Sequence, residues 1–330
     1  MPATVLRLVG LAAEPVKTWG GTSVVRASVR LAGVTDASLT VEDEVDQEAP
    51  MGWLAPATVS AQVAQSGSGS VEQTLSYQDV CYWLDGMFGP ATGSKVVGTT
   101  YIRNYAAPLT SVSAPKTYFM QFGTTAALYK MRGAIVGDAS FEVEAGAKWK
   151  ASISLLGKAV STLTAMSTAS ERTVDVIRAA DTKIYVDTWT HNTIGSTELT
   201  ATLISANLTA SPQRHLKTFT GSLYPQAHGE NRWEGTLVTV LEFNASAKAY
   251  VDGLLSGLVQ RQIRLIASQG SGTTARELRI DFAGTLAEPP ELFGDRDGNI
   301  TVELTWRGTY HGTLASFLQM QMRTENGTLA

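Results

Sequence analysis

The sequence predicts a mainly β chain, bordering on α+β, made of two copies of one β-rich unit with a single helix in each. Three observations carry this. Apolar and polar residues alternate along much of the 330-residue chain, the period of a half-buried strand. Helical periodicity appears once in each half. The same order of parts also recurs: Val71-Glu72-Gln73-Thr74-Leu75 leads into Tyr82-Trp83-Leu84-Asp85-Gly86-Met87-Phe88-Gly89. Later Trp233-Glu234-Gly235-Thr236-Leu237 leads into Tyr250-Val251-Asp252-Gly253-Leu254-Leu255-Ser256-Gly257, with a longer connection into its helix. A repeated order of parts of this length sets the architecture.

Each helix carries its own signals. In the first, Ser76 and Asp79 have capping-box spacing, with Asp in place of Glu. Val80, Trp83, Leu84, Met87 and Phe88 then fall on one face. In the second, Asn244 can cap, and Ala247, Tyr250, Val251, Leu254 and Leu255 form the matching stripe. Gly89 and Gly257 stand where each helix would stop. Both stripes are expected to cover the open side of a sheet.

Taken in order, the first 35 or so residues read as an extended arm with one strand at Val24–Leu31. Ser38 to Val45 alternates until Asp43 interrupts the apolar side, so the strand is expected to leave the core there. Pro50-Met51-Gly52-Trp53-Leu54-Ala55-Pro56 is an apolar segment bracketed by prolines, which disfavour a central strand. Thr58–Tyr77 reads as a hairpin turning at Ser66-Gly67-Ser68-Gly69. Lys95–Tyr105 and Lys116–Phe122 are β-prone. The clearest hairpin sets Phe141, Val143 and Ala145 against Trp149, Ala151, Ile153 and Leu155, with Ser, Glu and Lys on the other face. Ser161–Thr173 is rich in Ser, Thr and Ala and reads as a linker, giving units at 1–160 and 174–330. The second unit supplies strands at Lys183–Trp189, Glu198–Thr209, Arg232–Phe243, Gln262–Ala267, Glu277–Ala283, Asn299–Arg307 and Leu314–Arg323. Ser211–Gly221 reads as an irregular loop.

Composition narrows the function. Hydrophobic residues make up 44% and charged residues 17%, as in a globular protein. A net charge of −4 argues against an electrostatic grip on nucleic acid. Cys81 is the single cysteine, which excludes an internal disulfide framework and a Cys-based zinc site, and its place beside the helical stripe predicts a buried, inert thiol. No signal peptide and no bilayer-spanning run are evident, so the chain is expected to be made in a cytoplasm and to stay soluble. His191, His215, His228 and His311 are scattered without ligand spacing. No nucleophile elbow, phosphate loop or dinucleotide fingerprint is present, so no catalytic, cofactor-binding or metal-binding residue is assigned. Glu42-Asp43-Glu44-Val45-Asp46-Gln47-Glu48 is the one dense charge patch.

The residues resemble the major tail tube proteins of long, non-contractile-tailed bacteriophages. The likeness rests on Leu128-Tyr129-Lys130-Met131-Arg132-Gly133-Ala134-Ile135-Val136, on Ser140–Gly146 and on Trp149–Gly157, where Gly146-Ala147 departs from that family's double glycine. Ile184–Asp187, Ser205–Leu208, Trp233–Leu241 and Glu303–Tyr310 extend it through most of 36–325. The resemblance implies two tandem tail-tube-like β-sandwich or barrel domains, each with one flanking helix. It implies a structural virion protein, assembled in the host cytoplasm, that stacks as rings into a conduit for DNA ejection. It also implies no catalysis and no cofactor. The partners implied are further copies of the chain, the tape measure, tail terminator and tail tip proteins, and genomic DNA in transit without sequence-specific binding.

From the residues, Met51, Trp53 and Leu54, with Leu216 and Phe219 as counterparts in the second unit, are expected at contacts between subunits. Glu42, Glu44 and Asp46, with Glu142 and Glu144, are expected to line the channel, because a wall of like charge lets a polyanion slide. Six-fold rings of single-domain relatives imply three two-unit chains per ring. The competing readings are a hexamer with the second unit decorating the outside, a β-sandwich binding module of lectin or adhesin type, and an enzyme on a β scaffold. A binding module would normally be secreted, and an enzyme would need a constellation of reactive groups.

Overall fold

Where polar and apolar residues alternate, one face of a strand must find cover, and in this protein two helices and a set of crossing strands provide it. The computed structural model describes the chain except residues 1–7, 15–18, 22–27, 49–50, 53–58, 125–126, 165–171, 201, 288–293, 297, 326–328 and 330. The first half holds β1 (Leu8–Ala13), β2 (Val29–Arg30), β3 (Val34–Glu48), β4 (Val59–Thr74) and α1 (Val80–Phe88). It continues with β5 (Ser94–Val97), β6 (Thr100–Ala106), β7 (Tyr118–Gly123), β8 (Leu128–Glu144), β9 (Lys150–Gly157) and β10 (Ala159–Thr162). The second half holds β11 (Thr182–Thr188), β12 (Leu203–Ser211), β13 (His215–Lys217), β14 (Ala227–Gly229), β15 (Glu234–Glu242) and α2 (Ala245–Ser256). It closes with β16 (Gln260–Gln269), β17 (Arg276–Leu286), β18 (Gly294–Arg296), β19 (Asn299–Gly308) and β20 (Leu318–Thr324). The fold is mainly β and the strand pairings are antiparallel.

The two halves pair their strands in one pattern. In the first, β3, β4, β9, β8, β7 and β1 are neighbours in that order. In the second the order is β12, β15, β19, β17, β16 and β11. The helix follows β4 in one and β15 in the other. The halves are also joined edge to edge, because β12 pairs with the end of β8, Asn207 opposite Glu142 and Leu208 opposite Phe141. β20 pairs with β6 as well. Of the linker expected at Ser161–Thr173, 165–171 lie outside the described residues.

The α1 helix is buried along its whole length, from Val80 to Phe88, so its apolar stripe is only part of what it hides. Its fully buried side chains Trp83, Leu84 and Met87 contribute roughly 1.5–3 kcal/mol each. The capping box is half formed. The Ser76 hydroxyl accepts the Asp79 N–H at 3.1 Å, but the Asp79 carboxylate turns instead to the Ala32 N–H and the Gln73 amide, both at 3.0 Å. It also pairs with Arg172. Burial pushes the Asp79 carboxyl up, and Arg172 opposes that shift. Gln73 in turn accepts the Trp83 indole N–H at 2.6 Å. The helix ends at Gly89, whose φ of 108° favours glycine. Cys81 is buried, and burial pushes its thiol up to about 12, as the sequence led one to expect. In the second half Asn244 caps α2 as expected, accepting the N–H groups of Ser246 and Ala247.

Four expectations from sequence are corrected. Ser66-Gly67-Ser68-Gly69 is no turn but the middle of β4, which runs unbroken beside β3. Its glycines answer to crowding: a Cβ on Gly67 would lie 2.7 Å from Val160, and one on Gly69 would lie 2.7 Å from the Ser38 carbonyl oxygen. The early chain gives β1, which pairs with β7 along its length, although no clear alternation marks it. Within Ser211–Gly221, β13 pairs with β14. Finally, the Glu-x-Thr-Leu likeness is out of step with the pairing. Leu75 to Asp79 separate β4 from α1, whereas Phe243 and Asn244 alone separate β15 from α2, so the second connection is the shorter.

One buried ion pair fastens the connection between β12 and β15 onto the first half. Arg214 Nη1 donates to the carbonyls of Gly86 at 2.8 Å and Val136 at 2.6 Å, and Nη2 donates to that of Met87. These include carbonyls of the last turn of α1, which lack partners within the helix and attract positive charge. Glu230 faces the same guanidinium at 3.3 Å and also accepts the Ser113 N–H and, at 2.6 Å, the Trp233 indole N–H. Trp233 stacks on Phe88 of α1 with ring centroids 5.1 Å apart. Burial weakens the guanidinium's hold on its proton, and Glu230 opposes that. Arg214→Ala is therefore expected to cost about 3–5 kcal/mol, because it strands a buried carboxylate and three carbonyls. Urea denaturation checks this; a loss below about 1 kcal/mol would show that the pair is not needed.

Candidate functional site

Two surfaces stand out once the strands are in place, a long projecting hairpin and a polar sheet face. The hairpin is β3 with β4, registered from Val34 opposite Gln73 to Glu48 opposite Val59. Its base packs on the core through Ala37 and Leu39, and from Val41 to Glu48 every residue of β3 is exposed. The sequence signal was Asp43, and the strand does leave the core there. Asp43 accepts the side-chain amides of Gln62 at 2.8 Å and Gln65 at 2.6 Å, while Ser68 donates to Glu42 at 2.6 Å. A bulge between Glu44 and Val45 bends the arm.

The two faces of the arm differ in character. Because side chains alternate, Leu39, Val41 and Val45 share one face with Asp43, and Thr40, Glu42, Glu44, Asp46 and Glu48 share the other. The acidic face continues across the sheet. Asp36, Glu72, Ser152 and Ser140 stand in one row through β3, β4, β9 and β8, and Thr209 and Thr236 extend it into β12 and β15. Glu142 and Glu144 follow Ser140 on that face. The structure thus gathers all five acids singled out in the sequence, Glu42, Glu44, Asp46, Glu142 and Glu144, onto one side of one sheet. Lys150, opposite Glu142, and Arg307, opposite Thr236, interrupt it. The rest of that face is mostly Ser, Thr and Asn, with further acids at Glu234, Glu242 and Glu303 and the valines of β15, while the opposite face is apolar core.

The apolar contact residues fall on the two connections that correspond in the pairing order. Met51 is fully exposed at the tip of the β3–β4 hairpin, and Trp53 and Leu54 lie outside the described residues. Leu216 is half-buried in β13 and Phe219 is exposed just beyond it, both on the β12–β15 connection. That connection touches the arm, where the Gln65 N–H donates to the Leu223 carbonyl at 2.8 Å.

The histidines are taken up locally. His311 Nε2 lies 2.8 Å from the Trp189 carbonyl, His228 packs on the edge of Trp19, and His191 bonds the Thr193 backbone. Among the described residues no three His, Cys, Asp or Glu converge as metal ligands do. Two surface depressions, of about 780 and 350 Å³, are lined respectively by Asp85, Arg103 and Lys116 and by Leu109, Val112 and Tyr310. Sequence reasoning missed Arg214 and Glu230, since an isolated Arg and Glu in a loop carry no signal of burial.

Two comparisons bear on this arrangement. No curated protein sequence matches the chain. A family model described as phage tail tube protein matches residues 6–308, most of its length.

The arm is held by side-chain amides rather than by a core, so it is expected to open independently of the rest. Asp43→Ala should speed amide exchange in Val41–Glu48 and Ala61–Gln65 while leaving the thermal midpoint within about 1 °C, as suits an exposed contact. Unchanged exchange in the arm, or a midpoint lowered by several degrees, would contradict that picture.

Proposed function

The chain belongs to the phage tail tube protein family and is a structural component of the virion tail, and from that premise we propose that three copies close into a ring and that rings stack into the tail tube. The observation that carries the trimer is the repeated pairing order, β3-β4-β9-β8-β7-β1 and β12-β15-β19-β17-β16-β11. It supports two repeats of one tube domain per chain, at about 1–160 and 174–330. Three chains then supply six domains, and closure removes the unpaired sheet edges that an open assembly would expose. The two repeats differ in one respect. The β3–β4 hairpin projects, whereas the corresponding β12–β15 connection is pinned down by Arg214. Such a ring alternates two kinds of domain contact.

The polar face is assigned to the lumen. Glu42, Glu44, Asp46, Glu142 and Glu144 on one side of a Ser- and Thr-rich sheet give a wall that repels a polyanion and holds water, so DNA passes without being bound. Ejected genomic DNA and the tape measure protein occupy that lumen, and the tail terminator and tail tip proteins close its two ends. Met51, Trp53 and Leu54 on the arm, with Leu216 and Phe219 on the pinned connection, are assigned to contacts between subunits. Exposed apolar residues at a projecting tip favour an interface.

Electron microscopy of tubes assembled from the purified protein tests these assignments together. End-on averages are expected to show three-fold symmetry with a pseudo-six-fold outline. Strict six-fold averages with two density shells would overturn the trimer, and a tube reconstruction with the five carboxylates on the outer wall would overturn the lumen assignment. Trp53→Ala is expected to give a folded chain with an unchanged circular dichroism spectrum and no tubes. Normal tubes from that variant would remove Trp53 from the interface.

A further inference from the structure

The described strands leave one long sheet with two open sides. Its order is β3-β4-β9-β8-β12-β15-β19-β18, and among the described residues no strand pairs with the outer edge of β3 or of β18. At the middle of this sheet the two halves meet through β8 and β12, with Glu142, Val143 and Glu144 opposite Asn207, Ala206 and Ser205. The irregularities of the sheet show which residues correspond between the halves. A bulge after Val34 in the β3–β4 pair answers to a bulge after Leu203 in the β12–β15 pair, so Ser205, Ala206 and Asn207 correspond to Asp36, Ala37 and Ser38. Gly157 at the end of β9 answers to Gly308 at the end of β19, each too crowded by a neighbouring side chain to carry a Cβ. Counting back from them, Lys150 corresponds to Thr301. Lys150 faces Glu142 and Thr301 faces Gly294, so β18 corresponds to the end of β8.

We infer that the seam between chains takes the strand register of the seam within the chain, with different residues across it: the outer edge of β18 pairs antiparallel with the outer edge of β3 of a second copy, with Gly294 opposite Ser38, Asp295 opposite Ala37 and Arg296 opposite Asp36. This rests on the tube reading and specifies its lateral contact. The partner is a second copy because the edge that β8 accepts inside the chain is the β12 edge, and β3 is its counterpart. The contact is head to tail, so it does not stop at a dimer and is compatible with the closed ring proposed above.

Two measurements on assembled tubes test it. In Ala37→Cys/Asp295→Cys, strand pairing brings the two Cα atoms within the reach of a disulfide, while Cys81 is buried and takes no part. Oxidation is expected to link chains up to a three-chain species, about ten-fold more than in the off-register control Thr40→Cys/Asp295→Cys, whose Cα atoms would lie roughly 10 Å apart. In wild-type tubes, amides of Asp36–Ser38 and Gly294–Arg296 should exchange more slowly than in the free chain. This second readout stands even where a cysteine variant fails to assemble. Tubes with equal linking in both variants, or with unprotected edges, would overturn the seam and leave the tube reading intact. Failure of the wild-type chain to form tubes or rings would overturn both.

Discussion

The placement of the surface features depends on a guanidinium that has been taken out of water. Arg214 is fully buried at the end of α1, and each of its nitrogens meets a carbonyl, a hydroxyl or Glu230. Removing such a charge from water costs several kcal/mol, so the pair survives only because its geometry is complete. What this fixes is a path. The end of α1 holds Arg214, Arg214 holds the connection between β12 and β15, and that connection reaches the arm through Leu223 and Gln65. A helix in one half thereby sets the angle of a hairpin through a loop of the other half.

The same economy explains the difference between the helices. The α1 helix is wholly buried, because the chain after it runs out through β5 and β6 and back over it, and Trp233 stacks on its last turn. The α2 helix keeps a polar side with the Lys248–Asp252 pair in solvent, and among its described side chains Ala247, Tyr250 and Val251 are buried. Yet both cover the same kind of sheet. The apolar face beneath them includes Ile153 and Phe141 in one half and Trp306 and Leu304 in the other, while the far face stays hydroxylated and acidic.

Much of this was legible in the sequence where periodicity is strong. The hairpin of β8 and β9, the strands β16, β17, β19 and β20, both helices and the Asn244 cap stand where alternation and capping placed them, whereas β18 lies in a stretch that reads locally as turn. The five acids could be picked out as outward-facing. Their meeting on one face could not, because it depends on registers between strands far apart in sequence. The failures share a cause. Glycines in β4 look like a turn when read locally, but they answer to Val160 and to the Ser38 backbone across the sheet. Arg214, Glu230 and the β1 strand are likewise set by tertiary partners, as is the correspondence of Gly157 with Gly308. The Glu-x-Thr-Leu likeness falls out of step with the pairing order for the same reason, because register is set between strands far apart in sequence.

The projecting hairpin has a mechanical meaning. From Val41 to Glu48 it extends about 23 Å at the usual rise per residue of a strand. Over that length a tilt of about 5° at the base moves the tip by roughly 2 Å, enough to take Met51 out of register with whatever it touches. The hydrogen bond between Gln65 and Leu223 therefore acts at the fulcrum of a lever, where a small constraint is multiplied. A substitution buried beside α1 can be silent in the core and still misdirect the far end.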